Sequence, residues 1–186
     1  MAERWAVRSM VQNLLPLLLV LTIVELIGGL TLGSFEVTLL QYPSLLILVP
    51  VMIGTAGNLG SILSARMSTA FHLGLLSFSP NDENLIGNTT TTVLLAITVF
   101  PVVGAGGWGI TVFLKEANLS LITVVAVALA SGIILSLLAV MITVIAAYGA
   151  YRFRLDPDDV VIPIVTNICD VLGVVVLFIV VQLFIT

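Results

Sequence analysis

Residues 47–64, ILVPVMIGTAGNLGSILS, decide how this chain is read. The run is apolar enough for a membrane helix, yet between positions 50 and 60 it carries Pro50, Gly54, Gly57, Asn58 and Gly60. The three glycines, with Ser61 and Ser64, let a neighbouring backbone come close. Pro50 removes the hydrogen bond that its N–H would have donated to the Leu46 carbonyl. Irregular backbone at membrane depth is tolerated where it lines a cavity. The stretch therefore reads as a spanning helix with one face turned to something other than lipid. Helix packing alone accounts for the glycines but leaves Asn58 unexplained.

The rest of the chain agrees with a membrane setting. Of its 186 residues, 60% are hydrophobic and 9% charged, with a mean hydropathy of +1.26. A soluble domain of this size needs far more polar surface. Apolar runs at about 11–33, 44–66, 90–114, 119–150 and 160–185 are each long enough to cross ~30 Å of hydrocarbon. The fourth exceeds that thickness and must tilt or project. The expectation is an all-α integral membrane protein with five transmembrane helices, one domain over 1–186 and no soluble domain. The first apolar run continues to Leu32 without a small-residue cleavage site, so it reads as a retained span.

Charge fixes an expected orientation. Arg4, Arg8, Arg66, Arg152 and Arg154 fall on one side and Lys115 on the other, which places the N-terminus in the cytoplasm. The net charge of −4 and the absence of a basic cluster argue against a nucleic-acid partner. The single cysteine, Cys169, excludes an internal disulfide and a thiolate metal cage. His72 is the only histidine and reads as a polar residue near the cytoplasmic face; the methionines are dispersed, as packing residues are.

Asp170, in PIVTNICDVLGVVVLF, lies midway along the last apolar run. An ionised carboxylate facing lipid there costs several kcal/mol, so it must meet a partner or a wet cavity. Thr166 and Gly173 lie on the same helical face. The alternative is a protonated Asp170 bonded to a neighbouring helix. Upstream, Asp156, Asp158 and Asp159 form an acidic entrance able to concentrate cations, although an acidic cap at a helix start explains Asp158 and Asp159 equally well. Pro157 suits a first helical turn. Carbonyls, the Asn58 amide and the Asp170 carboxylate are hard oxygen donors, suited to Mg²⁺ or Ca²⁺. Glu25, within the first span, reads as paired with another helix, and Glu36 as a cation-attracting residue near the outer end. Arg66 is expected to snorkel to the cytoplasmic face. The Thr89–Thr92 run is expected to begin a helix capped by Asn88 or a threonine.

With these residues in place, LVPVMIGTAGNLGSILSARMSTAFHLG (48–74) and DPDDVVIPIVTNICDVLG (156–173) resemble the hallmark segments of solute carrier family 41 and the related magnesium channel MgtE. GSFEVTLLQYP, leading into the second span, fits as well, and the resemblance covers the five-helix unit in order. It implies a Mg²⁺-permeable pore made of two such units. Asp170 then matches the aspartate whose pair lines the central ion site, and Asp156 an acidic residue at the cytoplasmic mouth. Gly54 and Asn58 match pore-facing positions of the second span, and Thr166 a position offering an oxygen to the site.

MgtE has a large cytoplasmic sensor before this unit, whereas only about ten residues precede it here. The animal carriers fuse two units, so a single unit is expected to form a homodimer. The partners expected are Mg²⁺, the lipid bilayer and a second copy of the chain, and the expected location is the plasma membrane, crossed several times. No cofactor is expected, Mg²⁺ being cargo, and no enzymatic activity. Alternatives are transport of another divalent cation, Na⁺/Mg²⁺ exchange, and a non-transporting membrane scaffold.

Overall fold

The computed structural model describes residues 7–75, 78–79, 81–153 and 155–185; Arg4 and Arg154, used in the charge count above, lie outside them. The described chain is helical throughout its regular structure: α1 (Val7–Ser34), α2 (Glu36–Gln41), α3 (Pro43–His72), α4 (Glu83–Phe113), α5 (Leu121–Phe153) and α6 (Pro157–Ile185). All but α2 are long and apolar enough to cross a membrane, α1 through its part Leu14–Ser34. The five expected spans are present. The 33 residues of α5 make it about 50 Å long, so it exceeds the hydrocarbon thickness as its sequence indicated.

Three local readings are corrected. The connection GSFEVTLLQYP is not a plain loop, since EVTLLQ forms α2 and buries Leu39. Helix α3 does not stop near residue 66 but runs to His72, where Gly74 takes φ +69° and the Leu75 N–H reaches the Ala70 carbonyl. That left-handed glycine is a standard helix stop. Helix α4 begins at Glu83, capped neither by Asn88 nor by a threonine. The Asp82 carboxylate accepts from the N–H groups of Asn84 (2.9 Å) and Leu85 (3.2 Å), satisfying donors that a helix start leaves free. The threonines that follow bond back to carbonyls inside the helix, as Thr89 does to Leu85 and Thr92 to Asn88.

Helix α6 starts at Pro157, with Asp158 and Asp159 in its first turn, where negative charge is favourable. Pro16, Pro50, Pro101 and Pro163 all sit inside helices that continue through them. The core gathers around Phe100, Leu45, Leu48, Met52, Leu63 and Val165, all fully buried. Helices α3, α4, α5 and α6 share this core, whereas α1 touches only α6 and α2. At the end opposite Arg66 and Arg152, polar ties join the elements. The Ser44 and Thr111 hydroxyls bond at 2.8 Å, Trp108 Nε1 donates to the Leu119 carbonyl, and Asn118 Nδ2 to that of Gln41.

Candidate functional site

The stretch that opened the sequence reading packs along α6 in antiparallel register. Ile53 meets Gly173, Gly57 lies against Asp170 and Thr166, and Gly60 lies against Val165 and Ala139. These α3 positions recur every three or four residues and so share one helical face. Close approach excludes a side chain at Gly60, where a built Cβ would run into Val165 Cγ1, but Gly57 has room for one. A Cβ built there would sit 3.5 Å from Asp170 Oδ1 and 3.9 Å from the Thr166 Cα.

Gly54 and Asn58 each follow a residue of that face by one position, which rotates them about 100° away. Both are exposed, and a Cβ built on Gly54 meets nothing within 4 Å. Leu46, Pro50, Gly54, Asn58 and Ile62 form an exposed stripe on α3 at intervals of one turn. Within one chain, therefore, the fold brings Asp170 and Thr166 together but leaves Gly54 and Asn58 on a neighbouring open face. The Thr166 hydroxyl shares its one proton between the carbonyls of Ile162 (3.0 Å) and Pro163 (3.1 Å), so its two lone pairs are what it offers to a ligand.

The third wall at Asp170 is α1, a neighbour that the sequence reading did not place there. Gly28 is buried against α6, with a built Cβ 3.0 Å from Val171 Cγ2. Glu25, Gly28, Ile53, Asp170 and Val171 line one open cleft of about 180 Å³. Gly29 and Leu32 line it too, and also border a larger groove of about 520 Å³ reaching Glu36, Leu46 and Pro50. Asp170 thus stands in the smaller of two neighbouring clefts along α1, which share Gly29 and Leu32. Neither Glu25 nor Asp170 makes a hydrogen bond or ion pair with another described residue. Among the described residues no three His, Cys, Asp or Glu side chains converge on one metal position.

Asp156 lies at the arginine-bearing end, just outside α6, and its Oδ1 accepts from the Asp158 N–H at 3.0 Å. It also borders a cleft of about 570 Å³ with His72, Tyr151 and Arg152. Its carboxylate is therefore a helix cap as well as an acidic group at that mouth. Arg66, on the same end, donates to Asn88 Oδ1 at 3.2 Å. Cys169, next to Asp170, is a buried free thiol.

Comparison with known proteins bears on residues of this site. The family described as "MgtE: Divalent cation transporter" matches residues 49–180, from near the start of the first-quoted stretch to beyond Asp170. Solute carrier family 41 member 2 from Gallus gallus and from Homo sapiens are each 29% identical over 134 residues, covering 70% of this chain and 23% of the relative. Solute carrier family 41 member 3 from Rattus norvegicus is 26% identical over 165 residues, covering 78% of this chain and 34% of the relative. The chain thus spans about a quarter to a third of the length of the curated relatives it matches. A family match that takes in Gly54, Gly57, Asn58 and the mid-helix aspartate, in a fold of five long apolar helices, makes this chain a member of the MgtE divalent cation transporter family.

Proposed function

We propose that the chain carries Mg²⁺ across the membrane through a path formed between two copies of itself. The observation that carries this reading is Asp170, a carboxylate midway along α6, in a cleft with no basic side chain to neutralise it. At hydrocarbon depth such a group needs a partner or water, and a cation in a wet recess supplies both. One chain offers too few ligands to strip and hold a divalent ion, consistent with the lack of any three-residue acidic or histidine cluster among the described residues. A two-fold axis along the exposed α3 stripe adds a second Asp170, so that two carboxylates balance one divalent charge. Asn58 and Gly54 then face the path from both copies, and Thr166 contributes its hydroxyl oxygen one turn from Asp170.

Mg²⁺ dehydrates reluctantly and keeps several waters. An uncrowded site with carboxylate, amide and carbonyl oxygens suits outer-sphere binding of the hydrated ion better than a closed cage would. Family membership supports a divalent cation as cargo. In this reading the N-terminus and the Asp156 mouth face the cytoplasm, and the protein resides in the plasma membrane.

The test is flux through the protein alone. Purified chains are reconstituted into liposomes enclosing a Mg²⁺-sensitive dye, and external Mg²⁺ is added. Entry above that in protein-free vesicles is expected without added Na⁺. Entry only when an outward-directed Na⁺ gradient drives it would replace the passive path by exchange. No flux of Mg²⁺ or any other divalent cation from well-folded protein would leave a scaffold as the better reading.

A further inference from the structure

Helix α1 presents Leu21, Glu25, Gly28 and Leu32 along one face. Leu21 and Gly28 are buried and Leu32 is half-buried, so this is the face turned to α6. Glu25 is the one charged residue in that row, midway along the apolar segment Leu14–Ser34. Ile23, Leu26 and Leu30, elsewhere around the helix, are exposed apolar side chains. Glu25 is exposed as well, but it lies in the row where α1 meets α6. It lines the same cleft as Asp170. Neither carboxylate has a cationic partner among the described residues, and Glu25 lies outside residues 49–180 that the family match covers.

We infer that Glu25 is a second acidic residue of the Asp170 site, acting to raise its affinity for a divalent cation. The inference rests on the proposed role of Asp170 and extends it to a helix for which the family match gives no site. Two like charges facing one poorly screened cleft repel each other, and a cation between or beside them relieves that repulsion. The attraction grows with cation charge, so the pair favours Mg²⁺ over Na⁺. In a two-copy path the arrangement supplies four carboxylates near mid-membrane, the Asp170 pair flanked by the Glu25 pair. Glu25 is a specificity-determining residue here; the role of direct ligand stays with Asp170.

The experiment compares Mg²⁺ uptake into liposomes by wild type, Glu25→Gln, Glu25→Asp, Asp170→Asn and Glu116→Gln. The last removes the same charge from an exposed loop. Glu25→Gln is expected to raise the half-saturating Mg²⁺ concentration by about tenfold, with the maximal rate largely kept and discrimination against Na⁺ reduced. Glu25→Asp is expected to restore most of the affinity, and Glu116→Gln to behave as wild type. Melting temperatures in detergent serve as the structural readout. A Glu25→Gln protein that melts well below wild type would overturn the inference by showing a structural anchor, since removing an unpaired charge from this depth should not weaken the fold. Impaired Asp170→Asn beside wild-type concentration dependence and selectivity in Glu25→Gln would overturn this inference alone. Unimpaired Asp170→Asn would overturn the underlying site reading and this one with it.

Discussion

Gly132 and Gly54 lie in similar small-residue surroundings along the chain, yet the fold makes opposite demands of them. A Cβ built on Gly132 runs into the ring of Phe100, itself fully buried, whereas one built on Gly54 meets nothing within 4 Å. Gly132→Ala is expected to destabilise the protein by ~1–3 kcal/mol, the usual cost of forcing a methyl into a packed core. Gly54→Ala is expected to leave the stability of the single chain unchanged. Thermal unfolding in detergent compares the two, and equal melting temperatures would contradict the packing described. Asp170 was legible in the sequence because a carboxylate in an unbroken apolar run has few physical explanations. The rotational phase of α3 was not legible. Gly57, rather than Gly54 or Asn58, lies against Asp170, and composition cannot say which side of a helix with glycines at 54, 57 and 60 meets its neighbour. Glu25 stood out as an intramembrane acid, but its cleft depends on the pairing of α1 with α6, which no local pattern encodes.

The helices themselves were readable where apolar residues run on, and misread where polar residues continue a helix beyond the apolar run. Asp82 starts α4 through its cap, and the polar turn ENLIGN that follows is helical although hydropathy treats it as a connection. Similarly, α3 carries ARMSTAFH past its last long apolar run before Gly74 ends it. A helix end that leaves the hydrocarbon has no need of apolar residues, so hydropathy marks the membrane rather than the helix. At α6 the same junction offers a test. Asp156 caps the helix through Oδ1, and asparagine caps about as well as aspartate. Asp156→Asn therefore removes the charge at this mouth while retaining the cap. If Mg²⁺ collected by the acidic entrance regulates opening, the variant is expected to melt as wild type and to lose part of the response of uptake to internal Mg²⁺. An unchanged response would assign Asp156 to capping alone.

At the scale of the molecule, α3, α4, α5 and α6 share a core while α1 packs only on α6 and α2, leaving a recess between α1 and α3 beside Asp170. The proposed path needs a second copy to close that recess. The protein in detergent is accordingly expected to have the mass of two chains, and transport confined to monomers would contradict the two-copy path. In the proposed path Asp170 holds the ion by its charge rather than serving as a structural hydrogen-bonding group. Asp170→Asn separates these roles, because the amide has nearly the same volume and still bonds, while two negative charges leave the dimer. Mg²⁺ flux into liposomes, measured on a variant whose dimer mass and melting temperature match wild type, is the decisive measurement. The expected result is a loss of more than about tenfold in Mg²⁺ affinity or flux, from removing charge where screening is weak. Wild-type flux through a folded, dimeric Asp170→Asn protein would contradict it.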